Sequence, residues 1–138
     1  ARIESDKKAI KKLIKLIAKE KERQKHIIDW NGLPHLTYPP ILKCLKVALS
    51  VPGLFLTATT NGVHSPGSWH YQSRAFDGGS SGSRGESPEC EAQQKLLDTF
   101  GAESFMELFG PLGWYVKNGV KYSGTFPGHG DHLHAAPY

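Results

Sequence analysis

WYVKNGVKY, residues 114–122, is the stretch that decides the fold, because it carries the strongest β-hairpin signal in the chain. Two β-forming runs, Trp114–Val116 and Val120–Tyr122, flank Asn118-Gly119, the residue pair that type I′ hairpin turns favour. A hairpin pairs its strands antiparallel, so the sheet that contains it is expected to be antiparallel.

The segments around this hairpin alternate between predicted strands and predicted helices. Strands are predicted at Leu54–Thr60 and Asp131–Ala136, and the Gly/Ser-rich run 78–83 is expected to be a mobile loop. Helices are predicted at about 41–50, after Pro39-Pro40, and from Ser87 to the residue before Gly101, with a short helix around Glu103–Phe109. No βαβ rhythm appears. The expected class is therefore α+β, a small antiparallel sheet flanked by helices and preceded by an N-terminal amphipathic helix.

The N-terminal segment differs from the rest in charge. Residues 1–29 hold ten Lys/Arg against five acids, whereas the remaining residues hold seven against eight. Apolar residues at Ile10, Leu13, Ile14 and Ile17 have the spacing of an amphipathic helix over residues 4–19. This pattern favours a solvated stalk at 1–32, ahead of a catalytic unit at 33–138. A basic patch also suits an anionic wall polymer or nucleic acid, but the absence of aromatic residues from this segment argues against nucleic acid.

The apolar runs and the cysteines argue against membrane-spanning and zinc-finger proteins. No run of 18 or more apolar residues exists, so no membrane span is expected, and the lysines of the first apolar stretch do not fit a secretory signal peptide. Cys44 and Cys90 fit no zinc-finger spacing. They are interpreted as reduced packing residues, with a disulfide as the less favoured alternative.

Histidine is the residue type that points to chemistry. Of seven histidines, five form two clusters: His64 with His70, and His129, His132 and His134 together. Each cluster has an aspartate, Asp77 near the first and Asp131 inside the second. Imidazole nitrogens and a carboxylate oxygen are the usual ligands of a catalytic zinc, which activates water and polarises a carbonyl. The composition alone is equally compatible with a solvated histidine-rich loop.

The spacing of these residues resembles a known family. Ser68-Trp69-His70-Tyr71-Gln72-Ser73-Arg74-Ala75-Phe76-Asp77 resembles the S-x-H-x-x-G-x-A-x-D signature of the D-alanyl-D-alanine carboxypeptidase group of zinc peptidases. Asp131-His132-Leu133-His134 resembles the second signature of that group, and it also contains H-x-H. The group shares its metal site with lysostaphin-type endopeptidases and with the hedgehog signalling domain. The resemblance covers residues from about 33 to 138, and it implies a hedgehog/D-Ala-D-Ala peptidase-like fold.

The resemblance implies a role for each matching residue. His70, Asp77 and His134 correspond to the three zinc ligands, and Asp131 falls at the general acid/base position. His132 matches a histidine that lies beside the metal in lysostaphin-like relatives and assists the reaction. His64 stands where hedgehog-like relatives carry a histidine that supports the ligands or the substrate. Two positions depart from the pattern: Ser73 replaces a glycine, and the acid is Asp131 where many relatives have Glu.

Strand geometry sets conditions on this assignment. Side chains seven or three residues apart in a regular strand point to opposite faces, so His70 and Asp77 can share a metal only if the chain turns between them. Residues 72–73 are the expected place for that turn. Asp131 reaches the site only if the chain bends at Gly128 and Gly130. If it does not bend, His132 is the better candidate for the base.

The resemblance also implies a substrate. Relatives of this kind cut the stem peptides of bacterial peptidoglycan. A carboxypeptidase normally holds a terminal carboxylate with an arginine, and none lies between Gln24 and Ser73, which favours an endopeptidase. The motif variants look like phage-encoded endolysins or tail-attached domains, located in the virion tail or at the host cell wall or periplasm, with the N-terminal helix joining the rest of a tail protein. The alternative is a non-catalytic zinc-binding module of a tail protein with the same fold.

Overall fold

A computed structural model describes residues 2–25, 28–61, 64, 67–81 and 87–138 of the chain. The described residues form three α-helices, two short 3₁₀ helices and one six-stranded sheet. The helices are α1 (Arg2–Lys25), α2 (Pro39–Leu49) and α3 (Ser87–Phe100), and the 3₁₀ helices span Trp69–Gln72 and Ala102–Ser104. The strands are β1 (Phe55–Ala58), β2 (Phe76–Gly79), β3 (Phe105–Phe109), β4 (Trp114–Lys117), β5 (Val120–Ser123) and β6 (Leu133–Pro137).

The sheet has the order β1-β2-β6-β3-β4-β5, and every neighbouring pair is antiparallel. The predicted α+β class is therefore confirmed, and the hairpin turns at Asn118-Gly119 as its sequence predicts. Residues paired across the strands share a face of the sheet. One face carries the buried Phe76, Ala135, Leu108 and Val116, which pack with residues of α2 and α3 into the main core. The other face is free of helices α2 and α3 and can carry a site.

Helices α2 and α3 begin and bury their faces as their sequences dictate. Proline occupies the first turn of α2, where its missing N–H costs no hydrogen bond. The buried residues of α2 are spaced as one helical stripe: Ile41, Cys44, Leu45 and Ala48. Ser87-Pro88-Glu89 begins α3, and Gly101 follows its last residue with φ +83°. Both helices lie close to their predicted bounds.

Helix α1 does not pack against this unit between Ile3 and Glu20, where every side chain is exposed. None of the described helices has the length and apolar content needed to cross a bilayer. Among the described residues, Ile28, Trp30 and Leu33 pack against the core, so contacts of the packed unit include residues before the predicted boundary at 32/33.

Two sequence predictions are wrong in this structure. The short helix expected around Glu103–Phe109 is a 3₁₀ turn followed by strand β3, because Phe105–Phe109 fills a central place in the sheet with four of its five residues buried. Tertiary burial overrides local helix propensity there. Gly78 and Gly79, expected to open a mobile loop, belong to β2 and pair with β1. Residues 82 and 83 of that predicted loop lie outside the described residues.

Candidate metal centre

The open face of the sheet brings distant residues together through strand register. Asp77 on β2 pairs with His134 on β6, and His134 pairs in turn with Phe109 on β3. Residues paired in this way share a face, and their neighbours Phe76 and Ala135 point to the helix side instead. The side chains of Asp77 and His134 therefore lie next to each other on the helix-free face.

His70 reaches the same point because the chain turns directly after it. It lies in the 3₁₀ helix Trp69–Gln72, whose start is capped by Ser68 Oγ accepting from the His70 N–H at 3.2 Å. Ser73 then adopts the left-handed conformation, φ +58° and ψ +29°. The turn expected at residues 72–73 is present, and Ser73 takes a left-handed conformation that glycine adopts most readily.

Three potential ligand atoms converge where these segments meet. His70 Nε2 lies 3.1 Å from Asp77 Oδ1, and His134 Nδ1 lies 3.0 Å from the same oxygen. The two nitrogens are 3.2 Å apart. His70 and His134 are buried, so the three atoms form a compact, largely water-excluded triangle. The structure thus brings together the three residues that the sequence motifs propose as ligands.

Each imidazole is oriented by a hydrogen bond from its other nitrogen. His70 Nδ1 donates to the Thr59 carbonyl at 2.7 Å, which directs Nε2 towards Asp77. His134 Nε2 donates to Glu107 Oε1 at 3.0 Å, which leaves Nδ1 for the triangle. Such outer hydrogen bonds fix the tautomer and the ring orientation of metal-binding histidines.

The electrostatics of the cluster are those of a cation site. Burial by itself would raise the pKa of Asp77, but hydrogen bonds from His134 and His70 outweigh it and hold that pKa well below its usual range. Burial would likewise lower the pKa of His134, but the Asp77 and Glu107 carboxylates outweigh it and raise the pKa to about 9. In the absence of a metal, a proton on His134 thus supplies the positive charge that the two carboxylates attract.

His64 lies against this cluster in a different way. Its ring stacks on the His70 ring, with centroids 3.9 Å apart and planes 8° from parallel, and its Nε2 donates to the Asn61 carbonyl at 2.7 Å. Ligand atoms of His64, His70 and Asp77 all lie within 4.8 Å of one another, so this cluster could hold a metal ion. Imidazole lone pairs lie in the ring plane, however, and a cation in the plane of His70 lies out of the nearly parallel plane of His64. His134 is therefore the better third donor.

His132 and Asp131 occupy the side of the site towards solvent. Asp131 Oδ1 accepts from His132 Nδ1 at 2.6 Å, and His132 Nε2 lies 4.0 Å from Asp77 Oδ2. This hydrogen bond with His132 lowers the pKa of Asp131. Gly128 does bend the chain, with φ +80°, but Asp131 remains exposed and its carboxylate meets His132 instead of the triangle.

His64, the His70–Asp77–His134 triangle and His132 line an open cavity of about 590 Å³. One part of its wall is aromatic: Phe109 stacks on Phe126 with centroids 4.0 Å apart, and His129 packs edge-on against both rings. Another part is Lys117 of β4, whose ammonium lies 5.0 Å from the Phe126 centroid. The cavity thus combines a potential cation site, an apolar wall and a positive charge.

Sequence reasoning missed several residues of this site. Glu107 is the one charged residue in the apolar run Phe105–Phe109, and that isolation was the signal available. Lys117 alternates with apolar residues in a predicted hairpin strand, which fixes its face only once the sheet order is known. Thr59 acts through its carbonyl, for which a sequence has no signal.

Comparison of the chain with models of protein families, with curated proteins and with solved structures finds no match.

Proposed function

We propose that this chain is a zinc-dependent peptidase that hydrolyses peptide bonds of bacterial peptidoglycan, with His70, Asp77 and His134 as the metal ligands. The observation that carries the proposal is the triangle of ligand atoms, each 3.0–3.2 Å from the other two. The peptidoglycan substrate is inferred from the two motifs at 68–77 and 131–134, and the phage origin and virion location are inferred from the same resemblance.

The ligand set fits zinc. Zinc binds imidazole nitrogen and carboxylate oxygen at about 2.0–2.1 Å, which in a tetrahedron puts ligand atoms roughly 3.3 Å apart. The observed triangle is within a few tenths of an ångström of this spacing. Two nitrogens and one oxygen also match the three protein ligands of catalytic zinc sites, which keep one position for water or substrate. When bound, the ion supplies Lewis acidity next to a peptide carbonyl.

We assign proton transfer to His132 and the positioning of His132 to Asp131. With Nδ1–H donated to Asp131, His132 keeps a basic Nε2 on the cavity side. A base in that position can take a proton from water and pass it to the leaving amine. The exposed Asp131 carboxylate stabilises the imidazolium that forms. This assignment selects the second of the two sequence hypotheses for the base.

The cavity wall bears on the choice of substrate. The absence of arginine from residues 25–72 favours an endopeptidase, but Lys117 is a cation that could hold a terminal carboxylate from β4. We retain the endopeptidase proposal, because an exposed, open cavity accepts a chain that continues in both directions. Release of terminal D-alanine alone from walls and from a short D-Ala-D-Ala peptide would overturn it.

The direct test measures metal and hydrolysis together. Wild-type protein is expected to bind one equivalent of zinc and to release peptide fragments from purified cell walls. The His134→Ala variant is expected to lose both, whereas a matched His35→Ala variant, whose ring stacks on Trp30 outside the cavity, keeps both. Zinc binding that survives His134→Ala would refute the ligand assignment.

One observation favours the non-catalytic alternative. Asp131, which matches the acid/base position of the family, is exposed to solvent and does not line the cavity. A zinc-binding module of a tail protein would keep the His70–Asp77–His134 triangle without a working acid/base. Stoichiometric zinc with no fragments released from any wall preparation supports that alternative over the peptidase.

A further inference from the structure

Helix α1 presents an apolar surface that no described residue covers. Its apolar side chains between residues 10 and 17 are 46–61% exposed. At 100° per residue they fall within an arc of roughly 160°. We call this surface the apolar stripe, and its residues are Ile10, Leu13, Ile14, Leu16 and Ile17.

Between residues 8 and 19 the opposite side of α1 is basic. Between Asp6 and Glu20 the helix has six lysines and no acidic residue. Five of them fall within an arc of roughly 100° that does not overlap the stripe. We call this surface the lysine face, and its residues are Lys8, Lys11, Lys12, Lys15 and Lys19. Between residues 8 and 19 the exposed side chains of α1 thus separate into one apolar side and one cationic side.

We propose that α1 lies on the surface of an anionic lipid bilayer. Lipid is favoured because it complements the apolar stripe and the lysine face at once. Acyl chains bury the apolar stripe, while acidic headgroups attract the lysines, whose flexible side chains reach the headgroups. Nucleic acid or an anionic wall polymer would pair with the lysine face and leave the stripe exposed. A second copy would cover the stripe and bring two strongly cationic helices together. The inference is independent of the proposed hydrolysis.

The test uses the full chain and co-sedimentation with lipid vesicles. Wild-type protein is expected to bind vesicles of equal parts phosphatidylglycerol and phosphatidylcholine, and to bind pure phosphatidylcholine at least about tenfold more weakly. Salt is expected to weaken the binding by screening. Lys11→Gln with Lys15→Gln is expected to reduce affinity by about tenfold or more, and Ile14→Gln with Ile17→Gln by at least about tenfold.

The matched control removes the same charge elsewhere. Lys46→Gln with Lys121→Gln changes two exposed lysines outside α1 and is expected to bind vesicles as the wild type does. All these positions are exposed, so each variant keeps the packed unit, which circular dichroism verifies. Equal binding of the two vesicle types, binding of a soluble polyanion without vesicles, or self-association through the stripe without vesicle binding would each overturn the proposal.

Discussion

Replacing Glu107 by alanine is expected to weaken zinc binding although Glu107 is not a proposed ligand. Its Oε1 accepts from His134 Nε2 at 3.0 Å, and the His134 side chain is only 5% exposed. Without that acceptor, a buried N–H has no partner, which costs about 1–3 kcal/mol, and the ring loses the contact that orients it. A loss of about 10- to 100-fold in zinc affinity follows. Glu107→Gln retains an acceptor oxygen and is expected to lose about fivefold.

The loss of zinc affinity in the Glu107→Ala variant should increase as the pH rises. Glu107 also helps to hold a proton on metal-free His134, whose pKa is raised to about 9. Below that value the cation must displace this proton, and the alanine variant holds it less tightly. At neutral pH, zinc therefore displaces the His134 proton more easily in the variant, which offsets part of its loss of zinc affinity. The difference between variant and wild type is therefore expected to widen as the pH rises towards 9.

Competition with a chromophoric zinc chelator over this pH range measures the affinity, and chemical unfolding of the metal-free proteins checks that the variants fold. Glu91→Ala, on the exposed surface of α3, is the matched control and should bind zinc as the wild type does. An alanine variant at position 107 that folds and binds zinc with wild-type affinity at every pH would refute the reasoning that Glu107 orients His134.

Three further predictions concern the proposed base, the thiols and the N-terminal boundary. His132→Ala should abolish wall hydrolysis and Asp131→Asn should reduce it only partly, both with zinc retained; the opposite order, measured on purified walls with zinc analysis, would return the acid/base role to Asp131. Burial raises the pKa of Cys44 to about 12, so a thiol reagent at mildly alkaline pH should label one cysteine per folded chain and two after unfolding; labelling of both in the folded chain contradicts the packing. A chain of residues 28–138 should unfold at the same denaturant concentration as the full chain. A chain of residues 34–138 should lose about 2–4 kcal/mol of unfolding free energy, because Ile28, Trp30 and Leu33 no longer pack against the core. Equal stability of the two shortened chains would place the boundary at 33.

Local patterns predicted much of the fold, and burial decided the rest. Asn118-Gly119 fixes a turn through backbone conformation alone, and Ser87-Pro88-Glu89 fixes a helix start, so both were predictable. The run Phe105–Phe109 is apolar on both sides, and periodicity cannot separate a buried strand from a short helix in such a run. Its place beside β6 decides the matter, and sequence order does not reveal that neighbour.

The site was predictable as a set of residue types but not as an arrangement. Motif spacing proposed His70, Asp77 and His134, and strand alternation correctly required a turn at residues 72–73. Strand alternation could not decide whether Asp131 or His132 is the base. A bend at Gly128 does not determine where the side chains that follow it point. The direction taken by Asp131 follows from its short hydrogen bond with His132, a contact between neighbours that strand parity does not describe.

The register of β6 links the stability of the fold to the assembly of the site. Leu133 and Ala135 are fully buried on the helix side, and His134 alternates with them onto the open face beside Asp77. A slip of one residue would turn both apolar side chains to solvent and His134 into the core. The two buried apolar residues, which lie on the opposite face from the cavity, therefore specify the face on which the imidazole lies. Selection for a well-packed strand at this position is at the same time selection for the geometry of the three ligand atoms.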